Sequence, residues 1–262
     1  MDFGPFPARD PLDFAAASCV SVDFDVTEQS RFDDNRMGTM ALLRLADRHE
    51  IPITWAMCGR SAEEDVNSYS AIVDSSTRHE IGVHTYSHLD ATASTAEEFR
   101  ADVQKCVQTL RVRSPQTFVF PWNREAHFDV LSELGFRVYR GANRAIGRPV
   151  QRGGLWNIRP VYYVDAKSEG AQSLMKSYVD LCIKRRSIFH LWLHPWSIMI
   201  RGRAEPMSDT LDEVFAYMHR KKTEGKMDLL TMGELANRLD QASGPGESPK
   251  AFPQVANPQS AS

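Results

Sequence analysis

Short apolar runs alternate with amphipathic stretches along most of the chain, with the spacing of β-strands followed by α-helices. Cys19–Phe24 reads as a buried strand. Gly38–His49 follows as a helix with apolar Met40, Leu42, Leu43 and Leu45, and Ile51–Met57 is the next strand. Ile81–His84 is a third. Ser94-Thr95-Ala96-Glu97 has the form of a capping box, which opens a helix through Phe99, Val103, Val107 and Leu110. Thr117–Phe120 is a strand that Pro121 stops. A helix over Phe128–Leu134, closed by Gly135, leads into the short strand Phe136–Tyr139, and the glycine- and arginine-rich stretch Gly141–Arg159 reads as loop. Val161–Val164 is a strand, Ala171–Ile183 a helix, and Ile188–Leu193 a continuous apolar strand of the kind buried in parallel sheets. Helices Asp209–His219 and Met232–Leu239, with strand Met227–Leu230 between them, complete the pattern. Repeated βα units of this kind predict a parallel barrel or barrel-like α/β sheet.

This organised part spans residues 16–242 as one domain. Residues 1–15 form an N-terminal extension, and the Pro/Ser/Gly-rich Ser243–Ser262 reads as a disordered tail. A chain of 262 residues that is 42% hydrophobic can bury a full core, so one barrel-sized domain is the better fit. The formal net charge of -3 argues against a nucleic-acid partner, which needs a basic stripe. Cys19, Cys58, Cys106 and Cys182 stand far apart in apolar stretches and read as buried thiols suited to a reducing compartment. Met1–Asp13 lacks the charged start and apolar stretch of a secretory signal, and no apolar run reaches the roughly 20 residues that cross a bilayer. A cytoplasmic location is therefore expected, while oligomeric state has no signal.

The candidate chemistry begins with His84-Thr85-Tyr86-Ser87-His88, where two imidazoles are spaced by one helical turn or two strand pleats. With eight histidines in the chain such a pair arises readily by chance, and His190 and His194 form another. The pair gains weight from Ser21-Val22-Asp23-Phe24-Asp25, an apolar run ending in two carboxylates at strand period. Two histidines and a carboxylate are a common ligand set for a zinc ion with an open position.

These segments resemble the motifs of the polysaccharide deacetylases, the NodB-homology family of carbohydrate esterases. Ser21-Val22-Asp23-Phe24-Asp25 is similar to the family's Thr-Phe-Asp-x-Asp, His84-Thr85-Tyr86-Ser87-His88 to its His-Ser/Thr-x-x-His, and Leu191-Trp192-Leu193-His194 to its Leu-x-Leu-His. The resemblance implies a distorted parallel (β/α) barrel of about seven strands with its site at the strands' carboxyl ends. It implies that Asp25, His84 and His88 hold one divalent ion, zinc foremost, with cobalt, nickel or manganese as alternatives. Such an ion lowers the pKa of water from 15.7 toward about 7 and polarises a substrate carbonyl. Asp23 corresponds to the catalytic base, with an orienting hydrogen-bond role as the alternative. His194 corresponds to the acid, and Leu193 to the leucine lining the acetyl pocket. His190 reads as a packed or supporting histidine.

The third motif departs from the family form, Arg-Pro-Pro-Tyr/Phe-Gly, because the chain has Val119-Phe120-Pro121-Trp122-Asn123. Pro121 and Trp122 remain, so the Trp122 N–H is a candidate oxyanion donor. The arginine that braces the catalytic aspartate is missing, and Arg124, Arg140, Arg144 and Arg159 are candidate replacements. Trp156 is either an aromatic pocket wall or core, and no counterpart stands out for the aspartate that tunes the catalytic histidine. Three functions follow. The first is removal of an N-acetyl group from a sugar, with a cytoplasmic glycan precursor as partner. The second is metal-dependent hydrolysis of a non-sugar amide such as a cyclic imide or ureide. The third is a silent carbohydrate-binding domain.

Overall fold

The computed structural model describes residues 16–25, 32–141, 146–147, 149–164, 170–199 and 207–243. The N-terminal extension, Arg144 and the tail beyond Ser243 lie outside them. The strands are β1 (Ala17–Phe24), β2 (Ile53–Met57), β3 (Glu80–Val83), β4 (Thr117–Val119), β5 (Val138–Arg140), β6 (Val150–Arg152), β7 (Leu155–Asn157), β8 (Tyr162–Tyr163), β9 (Ile188–Leu193) and β10 (Asp228–Leu229). They form one curled sheet in the order β6-β7-β5-β4-β3-β2-β1-β9-β8, with β10 added beside the start of β1. All pairings are parallel except β6 with β7. The expected barrel-like α/β fold is present, with more strands than the seven foreseen because several are only two or three residues long. Its helices are α1 (Phe32–His49), α2 (Gly59–Glu64), α3 (Val66–Val73), α4 (Ala96–Thr109), α5 (Phe128–Glu133), α6 (Ala171–Lys184), α7 (Met207–Thr223) and α8 (Met232–Ser243).

Side chains alternate across the strands, and this period sorts the chain's chemistry. Val20, Val22 and Phe24 of β1, with Phe189, Leu191 and Leu193 of β9, join the core between sheet and helices. Ala17 and Cys19 of β1, Val138 of β5 and Ile188 of β9 pack on the other side, against Met232, Leu235, Ala236 and Leu239 of α8. The i, i+3, i+4, i+7 spacing of those four gives α8 one apolar stripe, which covers the amino-terminal ends of the strands. Further along the same inward face the residues turn polar: Ser21 and Asp23, Arg140, and His190 are all buried.

Several local differences from the sequence reading have plain causes. The capping box forms one residue later, with the Thr95 side chain accepting from Glu98 N and the Glu98 carboxylate accepting from Thr95 N. Helix α1 starts at Phe32 rather than Gly38. Gly38 is instead the point where α1 passes the chain after β9, since a Cβ there would lie 2.0 Å from the Pro195 carbonyl oxygen. Gly153 and Gly154, both at positive φ, make the two-residue turn of the β6–β7 hairpin within the stretch read as loop. Helices α2 and α3 fill residues 59–73, with the Asp65 side chain accepting from Ser68 N at the start of α3.

Candidate metal centre and catalytic site

The carboxyl ends of β1, β3, β4, β5 and β9 bring the expected polar residues to one end of the barrel. Asp25 follows β1, His84 follows β3, and His194 follows β9. Asp25, His84 and His88 each offer a ligand atom, and these atoms lie within 4.8 Å of one another. Two donors at about 2.0–2.2 Å from one tetrahedral zinc ion are about 3.3–3.6 Å apart, so side-chain shifts of about 1 Å would close the set.

The histidine segment is neither a helical turn nor a strand. Thr85 (φ 61°) and His88 (φ 60°) adopt left-handed backbone, which folds the segment back so that both imidazoles face Asp25. Asp102 of α4 holds this loop by accepting hydrogen bonds from Tyr86 N at 2.5 Å, Ser87 N at 3.3 Å and Ser87 Oγ at 2.6 Å. Thr85 Oγ1 accepts another from Leu89 N. His84 Nδ1 lies 2.7 Å from the Val119 carbonyl oxygen, to which it donates, so Nε2 keeps its lone pair for a metal. Burial holds the His84 imidazole below its usual pKa, and burial together with His84 pushes His88 down to about 4. Both rings are therefore neutral at neutral pH, the form that ligates a metal. The donor set fits a divalent ion on these grounds.

Asp23 is 3% exposed and sits in a cross-barrel ion pair with fully buried Arg140. Arg140 Nη1 and Nη2 donate to Asp23 Oδ1 and Oδ2, each at 2.5 Å. Among the described candidates for the missing brace, which leave out Arg144, Arg140 makes this pair. Trp192 adds a third bond from Nε1 to Asp23 Oδ2 at 3.0 Å, and the Arg140 guanidinium lies 4.1 Å over its ring. Burial opposes ionisation of Asp23, but the charge and hydrogen bonds of Arg140 outweigh it and hold the carboxyl below its ordinary range. His194 Nε2 lies 3.5 Å from Asp25 Oδ2 and 3.9 Å from Asp23 Oδ2. Its ring stacks on Trp196, and Tyr163 Oη lies 3.4 Å from its Nδ1.

Pro121 is buried and starts a tight turn that puts Trp122 at φ 52°, with its indole 57% exposed and its centroid 4.2 Å from that of His88. Trp122 therefore stands at the rim of the site. The structure places Leu193 away from the site and selects the core reading of Trp156. Leu193 lies in the core between sheet and helices, on the face of β9 opposite Trp192 and His194, because neighbouring strand residues point to opposite sides. Trp156 is at the far end of the barrel, packed with the α8 cluster, and its Nε1 donates to Asp240 Oδ1 at 2.6 Å. The sequence reading also passed over Trp192, although a residue two before His194 on a strand shares its face.

A family model described as "Polysaccharide deacetylase" matches residues 18–138, which carry Asp23, Asp25 and both histidines of the metal set. Over that stretch, a little under half of its length, the chain is similar to the polysaccharide deacetylase family. Arg140, His190 and His194 lie beyond the matched segment. A peptidoglycan deacetylase of Helicobacter pylori is 33% identical over 89 residues, covering 33% of this chain and 30% of that protein. The alignment thus spans less than a third of that curated relative's length. Among solved structures, a candidate polysaccharide deacetylase from Mycobacterium smegmatis has TM-score 0.69 at 16% identity, covering 98% of this chain and 99% of that one. The PuuE allantoinase has TM-score 0.67 at 12% identity, covering 90% and 98%. At these identities the likeness is one of fold. No helix among the described residues is long and apolar enough to cross a membrane.

Proposed function

We propose that the protein is a metal-dependent hydrolase that removes N-acetyl groups from a carbohydrate, with Asp25, His84 and His88 as the metal ligands. The observation that carries this reading is the convergence of that ligand set with two further groups of opposite task, Asp23 and His194, at one end of the barrel. A bound divalent ion, zinc foremost, would polarise the amide carbonyl and make water a stronger acid. Asp23, kept ionised by Arg140, takes the proton of the attacking water. Its carboxylate is aimed by three hydrogen bonds, so it reacts from one fixed orientation. His194 Nε2 faces the same space and donates a proton to the nitrogen as the C–N bond breaks, so acetate and a free amine result. The Trp122 N–H is the proposed oxyanion donor, and its exposed indole borders the entrance.

The family-model match over residues 18–138 and the peptidoglycan deacetylase relative support a sugar as the acetyl carrier. The allantoinase likeness makes a cyclic ureide the second substrate class to test. Metal analysis of purified protein should be coupled to acetate release from N-acetyl sugars and chito-oligomers, with ring opening of cyclic imides and ureides followed in parallel. Stoichiometric metal with acetate release supports the reading. Ring opening alone moves the protein to the ureide class, and full metal occupancy without turnover of any member leaves a binding domain.

A further inference from the structure

His190 takes no part in the mechanism above, yet it is fully buried on the inward face of β9, one pleat below Trp192. Its Nδ1 is 3.0 Å from the Ile158 carbonyl oxygen, just past β7, so it must carry a proton and donate. In the neutral ring Nε2 is then an acceptor only. Ser21 Oγ lies 2.8 Å from that Nε2, and its hydroxyl therefore donates to His190. With its proton committed, Ser21 presents lone pairs to Arg140, whose Nη1 donates to Ser21 Oγ at 3.2 Å. The same Nη1 holds Asp23 Oδ1. Burial and the nearby Arg140 charge hold His190 down to about 3, which keeps the ring in the neutral form this chain of bonds needs.

We propose that His190 is a positioning residue for Asp23, acting through Ser21 and Arg140. The assignment rests on the reading of Asp23 as the base. One run of hydrogen bonds links the end of β7 and the middle of β9 to β1 and β5 across the barrel, and the Ser21 and His190 protons in it each have one available direction. Ser21 is the hinge of this arrangement. A serine hydroxyl without a fixed acceptor rotates freely and can turn its proton toward the guanidinium, which would repel it. The imidazole removes that freedom and holds the Arg140 fork on both oxygens of the Asp23 carboxylate.

The test uses the metal-loaded full chain and an N-acetyl sugar that the wild type turns over. His190→Phe keeps a ring but ends the run, Ser21→Ala removes one hydroxyl, and His190→Gln restores an acceptor for Ser21 and a donor for Ile158. His190→Phe and Ser21→Ala should each lower kcat by about 10- to 100-fold with KM and metal content unchanged, as supporting partners of a site do. The double variant should lose no more than the worse single, because both break one run. His190→Gln should recover most of the rate. A kcat for folded His190→Phe within about two-fold of wild type, or losses that multiply in the double variant, would overturn the proposal. Should His190→Phe fail to fold, Ser21→Ala decides alone by the same criterion. If the wild type turns over no substrate, the hydrolase reading fails separately, and crystal structures decide the positioning role. A displaced Arg140 fork in Ser21→Ala or His190→Phe supports it, and an unchanged bidentate pair with Asp23 overturns it.

Discussion

Replacing Arg140 by Met should expose how much of this fold rests on one cross-barrel pair. The substitution keeps most of the side-chain length but removes the countercharge from a carboxylate that is 3% exposed. Breaking a buried pair by deleting one partner costs about 3–5 kcal/mol, since the remaining charge is left without compensation. At about 2–4 °C per kcal/mol for a domain of this size, the melting temperature should fall by about 6–20 °C near neutral pH. The loss has a pH signature. In the wild type the folded pKa of Asp23 lies below its ordinary value of 3.8, so the pair's contribution is complete above that value and fades only as pH falls through the lower, folded pKa. In Arg140→Met, burial acts without Arg140 and raises the folded pKa above the unfolded one. The carboxylate then destabilises the fold at neutral pH, and protonation relieves it as pH falls. Denaturant unfolding of chelator-treated protein should therefore show the gap between variant and wild type narrowing from about pH 7 to about pH 4. Adding Asp23→Asn to Arg140→Met should recover much of the loss at pH 7. A gap that stays constant with pH, or no recovery in the double variant, would refute the claim that the pair carries this stability.

The remaining predictions concern the site. Asp25→Ala, His84→Ala and His88→Ala should each strip the ion and abolish hydrolysis, and full metal occupancy with intact activity in all three would overturn the ligand set. Because His88 is held down to about 4, protons should begin to compete with metal at lower pH than for an ordinary imidazole of pKa 6.5, which metal titrations across pH can read. Asp23→Asn should keep its metal while kcat falls by about 10²–10⁴; loss of the metal would make Asp23 a ligand. His194→Ala should cripple N-acetyl hydrolysis far more than hydrolysis of an activated acetyl ester, whose leaving group needs no proton, and equal losses on both would remove His194 from the role of acid.

The sequence by itself determined the βα order and the barrel-like class, because these are properties of local pattern, and its motifs named the candidate ligand residues. Apolar Cys19–Phe24 carries its strand signal in its own residues, and a carboxylate or imidazole just past a strand end is delivered to one rim of a parallel sheet. The Gly153-Gly154 turn and the shared face of Trp192 and His194 were also written in local spacing. The same period-2 rule excludes Leu193 from that face. Other features depended on what lies across the barrel. Arg140 and Asp23 are 117 positions apart and their strands are separated in the sheet by β2, β3 and β4, so only curling of the sheet brings them into contact. Nothing in the neighbourhood of Arg124, Arg140 or Arg159 distinguishes them before that. Trp156 was undecidable for the same reason: its strand has a rim end and an α8 end, and the register Val138 with Trp156 sets the indole at the α8 end. The left-handed backbone at Thr85 and His88, which turns both imidazoles toward Asp25, lies in a loop held by Asp102 from α4. Strand pattern is a short-range property of the chain, whereas the partners inside a barrel are set by curvature and register, which only the packed sheet decides.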